Sequence, residues 1–132
     1  MTDRVLVVED NTASLEMLRD WLLLQDYEVM TASTLVDAIA SVERSKPDIV
    51  LLDVQLGADD GLSLAQWVRR HRGLRHTPII AVTAHAMVTE RDRMLQAGCN
   101  ACIPKPIEFR LLQEHLRKWL VIATLMSSAN GS

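Results

Sequence analysis

Cysteine is scarce in this chain, with only Cys99 and Cys102 among 132 residues. Two thiols cannot build a disulfide framework, and their scarcity fits a reducing compartment. They cannot complete a four-ligand zinc site unless histidines join, and no histidine lies close to them in sequence. Long apolar runs are absent too. The opening "MTDRVLVVED" holds an apolar stretch far too short for a signal peptide, with acids on both sides. The longest run, "WLVIATLM" (119–126), is much too short to cross a bilayer. Positive charge is not in excess either. A net charge of −3 gives no electrostatic reason to expect nucleic acid as a partner. These absences leave the expectation of a soluble cytoplasmic domain that engages neither membrane nor nucleic acid.

Hydrophobic residues make up 48% of the chain and charged ones 23%, ordinary proportions for one globular domain of this length. Short apolar runs recur about every twenty residues: "VLVV" (5–8), "EVMTA" (28–32), "DIVLLD" (48–53), "PIIAVT" (78–83) and "ACI" (101–103). Segments with helical spacing separate them. Leu15, Leu18 and Leu22 mark the first, with Asn11 as its N-cap; Val36, Ile39 and Val42 mark the second, where Thr34 and Asp37 have capping-box spacing. Leu64 and Val68 mark the third, Met94 and Leu95 the fourth before Gly98, and Phe109, Leu112, Leu116, Trp119 and Ala123 the fifth. Strands apolar throughout and alternating with helices predict a parallel sheet covered on both faces. The expected fold is α/β: a doubly wound, five-stranded parallel sheet with five helices, flavodoxin-like, in strand order 2-1-3-4-5. The domain is expected over 1–123, with 124–132 as a short disordered tail.

In such sheets the working site lies beyond the carboxyl ends of the strands. Strand one ends in Glu9 and Asp10, strand three in Asp53, strand four in Thr83 and strand five in Lys105, followed by Pro106. Neighbouring strands lie about 4.8 Å apart, so these groups can share one pocket. Three carboxylates that close repel one another unless a cation sits among them. An oxygen-only donor set without His or Cys selects a hard ion such as Mg²⁺. The rest suits phosphoryl transfer: a carboxylate can attack phosphorus, while lysine and a hydroxyl can face the charge on the transferring group.

These residues resemble the signature of response-regulator receiver domains of two-component signalling, over roughly Asp3 to Ala123. The family carries an acidic pair after strand one, a phosphoacceptor Asp after strand three, Thr or Ser after strand four, and Lys-Pro after strand five. Here these are "VVEDN", "LLDVQ", "VTAHA" and "PKP", in order and at the family's spacing. The resemblance implies that Asp53 accepts the phosphoryl group and that Thr83 and Lys105 bind it. It implies Mg²⁺ held by Asp10, Asp53 and the backbone carbonyl of Gln55, with Glu9 acting through a water, and a cis Lys105–Pro106 bond. It further implies a histidine kinase or histidine phosphotransfer protein upstream and a protein target downstream. It leaves room for a homodimer through the face of the fourth helix, fifth strand and fifth helix. The product is a switch, standing alone or cut from a larger protein, that catalyses only its own aspartyl phosphorylation and dephosphorylation.

The chain departs from the family pattern in places. Leu56–Gly57 replace the usual Met-Pro after the phosphoacceptor, though Asp60–Gly61 are kept. Gly57 predicts a more mobile loop there. Cys102 stands where the family usually has Tyr or Phe, the aromatic that swings inward on activation. Cys99 and Cys102 form a CxxC that enters a strand instead of opening a helix, which argues against thioredoxin-like chemistry and predicts a largely buried Cys102. His71, His76 and His115 read as solvated, while His85 lies beside the pocket. Leu111, Val121 and Leu125 fall off the stripe of the fifth helix, predicting exposed apolar surface and a protein contact there. Two other classes fit less well. An FMN-binding flavodoxin needs a hydroxyl- and glycine-rich loop after strand one, and "EDN" would repel phosphate. A haloacid-dehalogenase-type phosphatase needs an Asp-x-Asp pair that "VEDNT" lacks.

Overall fold

The apolar runs become the parallel sheet. In the computed structural model, which describes residues 2–129 and side chains as far as Met126, these strands are β1 (Arg4–Val8), β2 (Glu28–Ala32) and β3 (Ile49–Asp53). A miniature antiparallel hairpin, β4 (Gln55–Leu56) and β5 (Asp59–Asp60), follows, then β6 (Ile79–Thr83) and β7 (Ala101–Pro104). The main sheet has five parallel strands in the order β2-β1-β3-β6-β7, which is the expected 2-1-3-4-5 once the hairpin is set aside. Four helices cross between strands, α1 (Thr12–Leu24), α2 (Leu35–Ser45), α3 (Leu62–Arg70) and α4 (Val88–Ala97), and α5 (Phe109–Ala129) follows the last strand.

Strand side chains alternate between the two faces, and both faces are apolar. Leu6, Val8, Val50 and Leu52 join Ala38, Val42, Leu64, Val68 and Met94 under α2, α3 and α4. Val5, Val7, Ile49 and Leu51 join Leu18, Leu22, Leu112 and Leu116 under α1 and α5. The caps fall where the sequence placed them. Asn11 Oδ1 accepts from the Ser14 amide at 2.9 Å, and Thr34 Oγ1 from the Asp37 amide at 3.1 Å.

Several expectations are corrected. Val36 is 76% exposed, because the inner stripe of α2 is phased through Leu35, Ala38 and Val42. Helix α5 continues past Ala123 to Ala129, where a disordered tail from 124 was expected. Leu125 and Met126 favour helix, and the Thr124 hydroxyl ties back to the Leu120 carbonyl at 3.0 Å. Residues 130–132 of that tail lie outside the described residues. Cys102 is only half-buried, and Cys99 is the buried thiol. His71 and His115 are half-buried rather than solvated, each with Nδ1 shielded, whereas His76 is exposed. Among the described residues, no helix is long and apolar enough to cross a membrane.

One of the two arginines in the last turn of α3 is structural. Arg69 donates through Nε to the Gly98 carbonyl at 3.0 Å, through Nη1 to the carbonyls of Arg75 and Thr77, and through Nη2 to Asn100 Oδ1 at 2.7 Å. Asn100 Oδ1 also accepts the Ile79 amide at 2.8 Å, so a single guanidinium ties α3 to the connections entering β6 and β7.

Candidate active site

Parallel pairing brings all the carboxyl ends of the sheet to one edge. Asp53 closes β3, Glu9 follows β1, and Thr83 closes β6. Lys105 follows β7, its amide donating to the Thr83 carbonyl at 2.8 Å, and the Lys105–Pro106 bond is cis. Lys105 Nζ lies 2.9 Å from Asp53 Oδ2 and 3.5 Å from Glu9 Oε1. The Gln55 amide donates to Asp53 Oδ1 at 3.0 Å. Carboxylate oxygens of Glu9, Asp10 and Asp53 all lie within 4.8 Å of one another. Asp53 and Glu9 are buried, while Asp10 is exposed at the rim.

The electrostatics follow from that crowding. Burial pushes the Glu9 carboxyl up, and its hydrogen bond to Asp53 and the charge of Asp53 push it further, to about 7. Burial also pushes Asp53 up, but hydrogen bonds with Glu9, Lys105 and the Gln55 amide outweigh it and hold Asp53 below the ordinary carboxylate range. Burial disfavours the Lys105 ammonium, yet the hydrogen bond to Asp53 and the charges of both acids leave it more basic than usual. Lys105 therefore stays charged, Asp53 stays an anion, and Glu9 is the acid of the cluster that holds on to its proton.

Thr83 is buried, and among the described residues its hydroxyl is engaged with the loop that follows it. Oγ1 accepts from the His85 amide at 3.0 Å and lies 3.4 Å from the His85 carbonyl. Beside these groups an apolar cleft of about 290 Å³ opens between β1, α1 and the start of α5, with Leu18, Met17 and Phe109 in its walls and Asp53 and Lys105 at its polar end.

The donor set fits a hard cation. Glu9 Oε2 is buried with no hydrogen-bond partner, and three carboxylates face one another with a single ammonium among them. The thiols take no part. Burial and its thiol neighbour push Cys99 up to about 12, and burial raises Cys102, so neither is a ready nucleophile.

Two features of the site leave no clear signal in the sequence. In place of a mobile loop after Leu56 there is a hairpin, in which Leu56 is buried and Gly57, at φ +58, makes the turn. Gly61 packs against the Asp53 backbone: a Cβ there would meet the Asp53 carbonyl oxygen at 2.5 Å and that of Val54 at 2.9 Å. Gly61→Ala is expected to destabilise the fold by about 1–3 kcal/mol through overpacking and to displace Asp53. Urea unfolding read beside phosphorylation yield checks both effects, and an unchanged midpoint would show that the loop gives way freely.

The fold is a doubly wound α/β sheet whose strand ends gather a lysine-paired, buried aspartate among further acids. Residues 5–117 match the response regulator receiver domain family, and the chain belongs to it. The polar-differentiation response regulator DivK of Brucella ovis is 36% identical over 120 residues, covering 91% of this chain and 98% of that one. Among solved structures, the receiver domain of the sensor histidine kinase PA1611 from Pseudomonas aeruginosa PAO1 is 33% identical, covers 91% of this chain and 98% of its own, and superposes with a TM-score of 0.83. That structure holds a magnesium ion coordinated in its active-site cleft. A CheY-like receiver domain protein from Methanospirillum hungatei JF-1, 28% identical, covers 96% of this chain and 99% of its own with a TM-score of 0.87.

Proposed function

We propose that this receiver takes a phosphoryl group from a phosphohistidine of a kinase or phosphotransfer protein onto Asp53, and that the gain alters the surface it offers a downstream protein. The observation that carries this reading is Asp53 itself: buried, ionised, fixed by the Gln55 amide, and 2.9 Å from Lys105 Nζ. In the transfer, an Asp53 carboxylate oxygen attacks phosphorus, the new P–O bond forms as the P–N bond of the donor breaks, and the histidine leaves neutral once it takes up a proton. Lys105, already at Asp53, turns its charge toward the arriving phosphoryl oxygens. The Thr83 hydroxyl, released from the His85 carbonyl, donates to one of them. Glu9, Asp10, Asp53 and the Gln55 carbonyl are the groups that would hold Mg²⁺, which when bound supplies positive charge to the phosphoryl oxygens. Incubation with Mg²⁺ and acetyl phosphate, followed by intact mass, tests the reading. One added phosphoryl group is expected, and none with Mg²⁺ removed by chelation; an unmodified mass in both would refute it.

Cys102 sets how the switch responds. It pairs with Ala81 in register and sits half-buried against the α2–α4 core, offering far less volume than an aromatic ring. Movement of Thr83 then carries residues 84–87 with it while β7 stays nearly fixed. On adding beryllofluoride, large NMR shifts are expected in residues 83–90 and small ones in 101–106. Equally large shifts through 101–106 and α5 would contradict this, and Cys102→Tyr is expected to extend the response into β7.

A further inference from the structure

The edge of the sheet opposite Asp53 carries a feature that phosphoryl chemistry leaves unused. Residues 69–76 read RRHRGLRH, four arginines and two histidines in a chain of net charge −3. They end α3 and lead into β6, so they stand at the amino-terminal edge of the strands. Arg69 is committed to the carbonyls around it, but Arg70, Arg72 and Arg75 are exposed. Among the described residues none of these three forms an ion pair.

The helices run against the strands, so the last turns of α5 arrive at the same edge. There Pro78, Trp119, Ile122 and Met126, with Arg75 at the rim, line a pocket of about 190 Å³. Lys118 Nζ stands 5.0 Å from the Trp119 ring centre, adding positive charge beside it. Val121, Leu125 and Met126 are 59%, 63% and 44% exposed, so these turns of α5 carry apolar surface outside the pocket as well. A pocket with an apolar wall from Pro78, Trp119, Ile122 and Met126 and a polar wall from Arg69, His76 and Asn100 thus lies beside the exposed arginines at this edge.

The geometry points to a docking surface for an acidic amphipathic segment of another protein, with one apolar side chain seated in the pocket and carboxylates against Arg72 and Arg75. The charge of the rim selects acidic partners, and the pocket favours a protein anchor over a bilayer, which would lie across the opening and leave the space unfilled. Because the rim charges are exposed, they act mainly through the rate of encounter and its salt dependence, while the anchor determines residence.

The test uses a short labelled helical peptide with Leu and Phe at i, i+3 and i+7 and Glu at the flanking positions, read by fluorescence anisotropy on the full chain. Binding tighter than roughly 100 µM at low salt is expected. It should weaken by roughly tenfold or more in Arg72→Glu/Arg75→Glu and in high salt. Ile122→Ser should weaken it as well, with little change in salt dependence. Amide NMR shifts are expected in residues 70–78 and 119–126. An unchanged thermal midpoint in each variant shows that the fold is intact, independently of any phosphorylation at Asp53. Three results would overturn the assignment: no binding of the acidic peptide, equal binding of the same peptide with Lys for Glu, or binding confined to phosphatidylglycerol vesicles.

Discussion

Asp53→Asn takes up no phosphoryl group from acetyl phosphate and Mg²⁺, while its unfolding midpoint is at least that of the unaltered protein. The amide is nearly the shape of the carboxylate, and its oxygen can still accept the Gln55 amide that Asp53 Oδ1 accepts at 3.0 Å. It is not an anionic nucleophile, so the attack on phosphorus has no equivalent. Removing the charge also removes part of the repulsion in the cluster. Asp53 raises the Glu9 carboxyl through a hydrogen bond and through its charge, so Glu9 in the variant ionises at lower pH and becomes the main partner of Lys105 Nζ, now 3.5 Å from it. Intact mass settles the first point: a phosphoryl shift surviving in Asp53→Asn would place the chemistry on another residue.

Without divalent metal, the protein is expected to lose stability as the pH rises from about 4.5 through about 7, the range over which native Glu9 holds a proton that the unfolded chain has released. Glu9 is raised in the folded state, so its contribution is present in full below 4.5 and is lost as the pH passes 7. Asp53 is lowered, so its contribution is already complete over this range and does not change the slope. Each pH unit between the unfolded and folded values of Glu9 is worth about 1.4 kcal/mol, so the loss reaches a ceiling of about 3 kcal/mol. Solvent does little to dilute it, because the Glu9 side chain is only 4% exposed. His115, pulled down mainly by burial, works in the opposite sense, so the informative quantity is the difference from Glu9→Gln. Urea midpoints in EDTA at pH 5 and pH 8 should converge in that variant and diverge in the parent. Parallel pH dependence in the two proteins would show that Glu9 does not carry the effect. Saturating Mg²⁺ should abolish most of the loss, since a cation among the acids does what the proton did.

Much of this was legible from the residues. Five short β-type runs gave five strands: β1, β3 and β6 each carry an unbroken apolar stretch because both their faces are buried, and the edge strand β2 begins and ends where "EVMTA" does. The acids, hydroxyl and lysine were legible because chain direction alone brings strand ends together. What escaped has physical reasons. Helical spacing shows that α2 has an inner stripe but not its phase when Ala38 is as good a core residue as Val36. A hairpin with two residues per strand is too short to show alternation, so β4 and β5 left no pattern. Nothing in the sequence singles out Arg69 from the arginines beside it, and only the folded chain shows carbonyls closing around it.

That same arginine gives α4 one anchored end and one loose end. At the carboxyl end, Arg69 Nε holds the Gly98 carbonyl, and Gly98 itself, at φ +115, has no room for a side chain because a Cβ would lie 2.7 Å from Arg69 Cγ. At the amino end, Met87 provides no side-chain cap, and the neighbouring Val88 is 74% exposed. Between them Met94 is buried in the core, and the exposed Arg93–Asp60 contact, at 3.3 Å, ties the helix to the hairpin beyond Asp53. The helix is therefore built like a door: the jamb is Arg69, the latch is a weak surface ion pair, and the handle is the loop that Thr83 already grips. A displacement begun at Thr83 is therefore expected to move the near end of α4, at Met87 and Val88, more than Gly98.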